Sequence, residues 1–157
     1  MALDPGIFTL KTAQHLYQKL ERDFEVLQAQ PTNADACFNF FVTAEHLPEW
    51  EPKADGDAAK VFRRKHAILR VCSHIANGAK HFITNDKRHD SVVATHKATI
   101  TSFQPDTGEV PDSHTDSAAS EFFVELDGCE ARELGSPVAV TELARQVLAF
   151  WKQRVGN

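Results

Sequence analysis

The sequence has few cysteines and no long apolar run, and both shortages limit the class of protein. Its three cysteines, Cys37, Cys72 and Cys129, are odd in number and widely spaced, so a disulfide framework is not expected. No apolar segment approaches the roughly 20 residues that a membrane span requires. Residues 1–6 lack the basic start and apolar stretch of a signal peptide. We therefore expect a reduced, cytoplasmic protein.

The sequence also lacks the short motifs of several enzyme classes. It contains no His-Glu-x-x-His, no Glu-x-x-His and no Cys-x-x-Cys, which are common patterns of metal sites. It has no glycine-rich phosphate loop, and Ser73 does not stand in a Gly-x-Ser-x-Gly context. We therefore expect neither a metal nor a cofactor, and we expect Cys72 to lie in the core.

What the chain does contain is typical of one globular domain, which we expect to span residues 1–157. Its 157 residues are 42% hydrophobic and 25% charged, values that suit a chain with a single core. The net charge of −5 is unevenly distributed. Residues 60–97 carry +7 and five of the eight histidines, whereas residues 1–59 carry −6, residues 98–142 carry −9 and the last 15 residues carry +3. Either the opposite charges face each other, or the basic segment meets phosphates.

Apolar periodicity predicts an α+β fold that is mainly α, in which a four-helix bundle carries a small antiparallel sheet inserted before the last helix. Helices are expected at about 8–28, 33–47, 58–83 and 137–155. Thr32 to Asp35 resembles a capping box, and Ser136-Pro137 suits a helix start. Strands are expected at 91–103, 121–126 and 129–134, with a mobile loop at 104–120 and a tight turn at Asp127-Gly128.

Two polar series on the predicted helices are candidates for chemistry. The third helix carries Arg70, His74, Asn77 and His81 on the side opposite its apolar residues. The second helix carries Asn39, Thr43 and His46, followed by Trp50. If the two series face each other, they form a groove in which Arg grips a phosphate and His moves a proton. The simpler alternative is a polar face turned to water, which is the default for an amphipathic helix, and a third is a buried network of satisfied polar groups.

The Arg, Asn and His residues along the third helix resemble the HEPN superfamily of bacterial and prophage proteins. Its members are small helical bundles, and many are RNA-directed nucleases of toxin–antitoxin and phage-defence systems. The family signature is an Arg followed by a His after four to six residues, whereas three residues separate Arg70 from His74 and ten separate Arg70 from His81. The resemblance covers residues 8–83 and the last helix, and it implies a bundle that acts on RNA.

These observations lead to two hypotheses of function. In the first, the chain contacts RNA or another phosphate-containing ligand through the third helix. In the catalytic version, Arg70 binds the phosphate, His74 or His81 is the base, and Asn77 and Asn39 orient them, supported by His46. In the second hypothesis, the chain is a non-catalytic interaction module, such as an antitoxin-like protein or a prophage accessory protein. Its acidic sheet and loop 104–120 would then bind a basic protein, and a homodimer is a further candidate assembly.

Overall fold

A computed structural model of the protein describes residues 6–51, 56–80, 92–100 and 119–155. Six α-helices and three strands lie in these ranges. The helices are α1 (Ala13–Ala29), α2 (Ala34–His46), α3 (Gly56–Lys65), α4 (Ala67–Lys80), α5 (Gly128–Leu134) and α6 (Val140–Val155), and a 3₁₀ helix at Leu47–Glu49 follows α2. The strands are β1 (Val92–Ile100), β2 (Ala119–Leu126) and β3 (Val138–Ala139). The predicted α+β class, mainly α, is confirmed.

The core is formed where α1, α2, α4 and α6 pack against one another. The predicted apolar sides of the first and last helices are confirmed, because Leu20, Leu27, Ala144, Val147 and Trp151 are fully buried. The small sheet joins this core through Val124, Leu126 and Val138 on β2 and β3. None of the helices in the described ranges is both long and apolar enough to span a membrane.

The first two helices start later than predicted. Phe8 has a φ of +50°, which a right-handed helix does not allow, and Ile7 pairs with Leu10 in a short turn. The Thr12 side chain then accepts a hydrogen bond from His15 N and caps α1. Asn33, not the predicted Thr32, caps α2 by accepting from Asp35 N and Ala36 N.

The single long helix predicted at 58–83 is wrong, since two helices, α3 and α4, meet at His66. No Pro or Gly marks this break in the sequence. The His66 carbonyl accepts from Leu69 N and Arg70 N, so a new helix begins there. The His66 ring packs 4.7 Å from Phe62 and 5.0 Å from Phe150 between ring centroids. Contacts with α6 therefore accompany a break that local sequence does not announce.

The sheet is antiparallel in the order β1-β2-β3. Strand β1 pairs with β2, with a bulge between Val92 and Ala94. The predicted hairpin at Asp127-Gly128 is wrong, because Asp127 is extended and its carboxylate accepts from Gly128 N at the start of α5. A type I′ turn needs positive φ at both central residues, and only Gly128 has it, at +60°.

The last helix begins at Val140 and not at Pro137. Ser136 Oγ does not cap it but bonds to the backbone N and O of Leu126. Instead, a carboxylate oxygen of Glu121 on β2 accepts from Thr141 N in the first turn of α6. The predicted loop at 104–120 lies outside the described residues except for its last two positions, which belong to β2.

Candidate functional site

Arg70 of the third-helix series contacts α5. Its Nε donates to Glu130 Oε1 at 2.5 Å, and its Nη1 donates to the Arg64 carbonyl at 2.6 Å. Nη2 lies 3.5 Å from Cys129 Sγ. The side chains of Arg70 and Glu130 are 27% and 10% exposed, so the ion pair is largely shielded from water.

Arg70 and Glu130 stabilise each other's charged forms. Burial opposes charge on both groups, but the hydrogen bonds and charges that they exchange, together with Cys129, outweigh it. The pKa of Arg70 is therefore raised and the pKa of Glu130 is lowered from their ordinary values. At neutral pH the guanidinium is bound to a carboxylate of its own chain.

The other members of this series bond elsewhere. His74 Nδ1 accepts from Val92 N at 3.1 Å and so holds the start of β1. Asn77 Nδ2 donates to the Ser73 carbonyl at 2.7 Å, within α4. His81 lies outside the described residues. Arg70, His74 and Asn77 are each half-buried with a partner in the chain, which resembles the buried-network interpretation more than the groove.

The second-helix series lines a pocket of about 330 Å³, here called the α1–α2 pocket. Asn39, Thr43, His46 and Trp50 are part of its lining. The other lining residues are Val42 of α2, Leu16 and Lys19 of α1, and Ile7 and Leu10 of the turn at residues 7–10. Asn39 and His46 thus line the same pocket. Their common pocket is built with α1, whereas Arg70 contacts α5.

A polar cluster closes one side of the α1–α2 pocket. Lys19 Nζ lies 2.5 Å from Asp23 Oδ2 and donates to Thr43 Oγ1 at 2.9 Å. The buried Thr43 hydroxyl lies 2.7 Å from Asp23 Oδ2 and 2.8 Å from the Asn39 carbonyl. An ammonium group has three N–H donors, and these two contacts leave one of them for a ligand. Sequence reasoning missed Lys19 because its partner Thr43 lies 24 residues away.

His46 connects this pocket to α3. Its Nδ1 lies 3.4 Å from Glu49 Oε2, and Arg63 Nη2 donates to Glu49 Oε1 at 2.8 Å. Burial would raise the pKa of Glu49, but the hydrogen bonds and charges of Arg63 and His46 leave it below its ordinary value. The carboxylate therefore stays ionised at neutral pH and orients the imidazole.

The C-terminal ends of α3 and α6 form a second candidate surface, here called the basic–aromatic surface. It consists of Phe62, Arg64, Lys65, His66, Phe150, Lys152 and Arg154. The Arg154 guanidinium lies 4.0 Å from the Phe62 ring centroid, and Phe62 lies 6.1 Å from Phe150. Its cations come from the basic segment 60–97 and the basic last 15 residues. The positive charge of both segments could be read from the sequence, but only the structure shows that they lie next to each other.

Three cations of this surface are exposed and have no side-chain partner in the part of the chain that the structure describes: Arg64, Lys65 and Lys152. By contrast, Arg154 Nε lies 3.0 Å from Glu51 Oε1, and Arg63 bonds to Glu49. The unpaired charges thus lie where an anionic ligand can reach them.

Neither a metal site nor an activated thiol emerges from the described residues. In 6–51, 56–80, 92–100 and 119–155, no group of His, Cys, Asp or Glu side chains is arranged to hold a metal ion. The three cysteines are unpaired. Burial raises the pKa of Cys37 to about 11 and that of Cys72 still further, so both thiols are protonated at neutral pH and are poor nucleophiles.

Comparison with known proteins identifies no relative of this chain. No protein-family model, no curated protein and no solved structure matches this chain.

Proposed function

We propose that the protein binds RNA through the basic–aromatic surface at the C-terminal ends of α3 and α6. The observation that carries the proposal is the set of exposed cations Arg64, Lys65 and Lys152, unpaired among the described residues, on two helices that pack together through Phe62 and Phe150. Lysine and arginine contact phosphates, and aromatic rings accept stacked bases. The proposed activity is binding, and the likeness to HEPN bundles and a cytoplasmic location are part of the same proposal.

The contacts of Arg70 favour binding over cleavage. In the catalytic hypothesis its guanidinium grips the phosphate, but it is bonded to Glu130, the Arg64 carbonyl and Cys129. A phosphate would have to displace a partly buried carboxylate. The cations at Arg64 and Lys65 need no such displacement.

The interaction-module hypothesis has less support among the described residues. Of its acidic surface, Glu121 accepts from Thr141 N, and Glu125 Oε1 lies 3.7 Å from His96 Nδ1. These carboxylates already have partners within the chain. A basic protein partner, like a second copy of the chain, stays a hypothesis that the experiment below can favour.

The test is fluorescence anisotropy of a labelled single-stranded RNA, titrated with protein at several salt concentrations. We expect weak, salt-sensitive binding, since the chain is acidic overall. The variant Arg64→Ala/Lys65→Ala should lower the slope of log affinity against log salt by about 0.7 for each phosphate that it no longer neutralises. The matched control Arg22→Ala/Arg145→Ala removes two exposed cations elsewhere and should leave the slope unchanged.

Two results would contradict the proposal. One is an affinity that does not change with salt. The other is equal weakening by the two double variants, which would show that net charge and not this surface determines binding. An intact RNA after incubation supports binding without cleavage, whereas cleavage that disappears in Arg70→Ala would restore the catalytic hypothesis.

A further inference from the structure

The α1–α2 pocket lies next to the proposed RNA-binding surface but is not part of it. His46 lines the pocket, Glu49 contacts His46, and Arg63 of α3 bonds to Glu49. The residues that follow Arg63 are the exposed cations Arg64 and Lys65. One chain of contacts thus links the pocket to α3, the helix that carries these cations.

The lining of the pocket combines apolar side chains with a few polar groups. Trp50 and His46 supply ring surfaces, and Leu16 and Val42 supply aliphatic ones. A volume of about 330 Å³ falls at the small end of the range for small-molecule sites. Aromatic walls of this kind accept an unstacked base, because every base has a π face.

Asn39 is the group in this lining that can read the edge of a base. Its exposed side chain has no hydrogen-bond partner in the described part of the chain. An amide offers one acceptor and two donors, and this pattern complements the donor and acceptor edge of adenine. The remaining N–H of Lys19 gives the pocket one further donor.

The turn at the rim of the pocket has an unusual backbone conformation and an exposed aromatic ring. Ile7 and Leu10 line the pocket, and between them Phe8 is 87% exposed with a φ of +50°. Strained backbone is concentrated at ligand clamps, and an exposed aromatic ring beside a base pocket suits stacking with a neighbouring base.

We infer that the α1–α2 pocket binds one unpaired adenine base, whose edge is read by Asn39 between the rings of Trp50 and His46. This inference rests on the proposed function, because it names the part of an RNA that the protein would recognise.

The test is quenching of tryptophan fluorescence by adenosine, adenosine monophosphate, uridine and ribose 5-phosphate. Trp151 is fully buried, so Trp50 is the tryptophan that a pocket ligand can reach. We expect saturable quenching by both adenosine compounds, weaker quenching by uridine and none by ribose 5-phosphate. Asn39→Ala should weaken adenosine binding about tenfold, and Trp50→Phe should remove the signal.

A matched control is Gln18→Ala, which removes an exposed amide from α1 outside the pocket lining and should bind adenosine normally. Asn39→Ala should fold, because alanine favours a helix more than asparagine does. The inference fails if adenosine does not quench, if ribose 5-phosphate quenches as adenosine monophosphate does, or if Asn39→Ala binds normally.

The RNA titration separates this failure from failure of the proposed function. If adenosine binding depends on Asn39 but RNA binding does not depend on Arg64 and Lys65, the inference about the pocket is supported and the proposed RNA-binding surface is wrong. If RNA binding depends on the two cations but adenosine does not bind, the surface stands and the pocket inference is wrong.

Discussion

At the scale of single residues, the chemistry open to Arg70 depends on a partner that is distant in sequence. Glu130 lies 60 residues later, and no local pattern pairs the two positions. The sequence does identify Arg70 as one of the polar residues on the side of this helix opposite its apolar residues. It does not distinguish a guanidinium that is free to bind phosphate from one that anchors α5.

The Arg70–Glu130 pair makes stability depend on pH. The pKa of Glu130 is lowered on folding, so its contribution is complete above the unfolded carboxyl pKa of about 4.3 and is lost as pH falls through the lower folded value. Glu130→Gln should reduce the free energy of unfolding by about 1–3 kcal/mol at pH 7. The difference from wild type should shrink below about pH 4. Urea unfolding followed by circular dichroism at several pH values measures it.

The matched control for this prediction is Glu133→Gln. Glu133 is exposed on the same helix and has no side-chain partner among the described residues. Its replacement should change stability by less than about 0.5 kcal/mol. A Glu130→Gln deficit that stays constant down to acid pH would show that packing, and not ionisation, is what Glu130 contributes.

At the scale of elements, two glycines have opposite roles. Gly128 begins α5 with a φ of +60°, which a β-branched residue adopts only with strain. Gly78 lies in the exposed part of α4, and a Cβ built there meets nothing within 4 Å. A side chain at position 78 therefore has room in the described part of the structure.

The two glycines predict opposite changes in stability. Gly128→Val should lower the free energy of unfolding by about 1–2 kcal/mol, because the left-handed conformation is strained for L side chains. Gly78→Ala should raise it by about 0.5–1 kcal/mol, because alanine loses less conformational freedom in a helix. Urea unfolding of both variants provides the comparison. Equal stability of Gly128→Val and wild type would mean that α5 does not need the positive φ.

The elements also show which parts of the fold local sequence determines. The apolar sides of α1 and α6 follow from helical periodicity, and the extended nature of β1 and β2 follows from their Val, Thr and Phe content. The break at His66 and the start of α6 at Val140 depend on contacts with Phe150 and Glu121. Such contacts are tertiary, so neither boundary could be predicted from local signals.

The candidate site, like the fold, could be predicted from the sequence only in part. Asn39 and His46 lie on one helix, and their shared pocket follows from their spacing. The α3 and α6 cations come together because Phe62 packs against Phe150, a contact between residues 88 positions apart in the sequence. The sequence shows that both segments are basic, whereas only the structure shows that they lie close together.

At the scale of the whole molecule, the uneven charge is balanced within the chain at some basic residues and not at others. Arg63, Arg70 and Arg154 pair with acidic side chains of other segments, so part of the charge is neutralised internally. Arg64, Lys65 and Lys152 are left without side-chain partners in the described ranges. The internal pairs thus hold the helices together, and the remainder gives an acidic protein a local basic surface.

The sheet, which the sequence predicts as an insertion before the last helix, shares the core of the helices. This shared core predicts a single unfolding transition. Val124 on β2 is 1% exposed within the cluster that contains Phe41 and Leu143, whereas Val93 on β1 is 63% exposed. Val124→Ala should therefore lower the free energy of unfolding by about 2 kcal/mol, through reduced burial and a small cavity. Val93→Ala makes the same chemical change at the surface and should cost less than about 0.5 kcal/mol.

Thermal unfolding of these two variants, followed by helical circular dichroism and by tryptophan fluorescence, tests whether sheet and helices unfold together. If they share one core, Val124→Ala lowers the midpoint of both signals by the same amount, because weaker packing of β2 is felt at the buried Trp151 of α6. An unchanged helical midpoint in Val124→Ala would instead mean that the helices fold without the sheet. In that case, the burial of Val124 would stabilise only the strands, and the helical bundle would be the unit that carries both the pocket and the basic–aromatic surface.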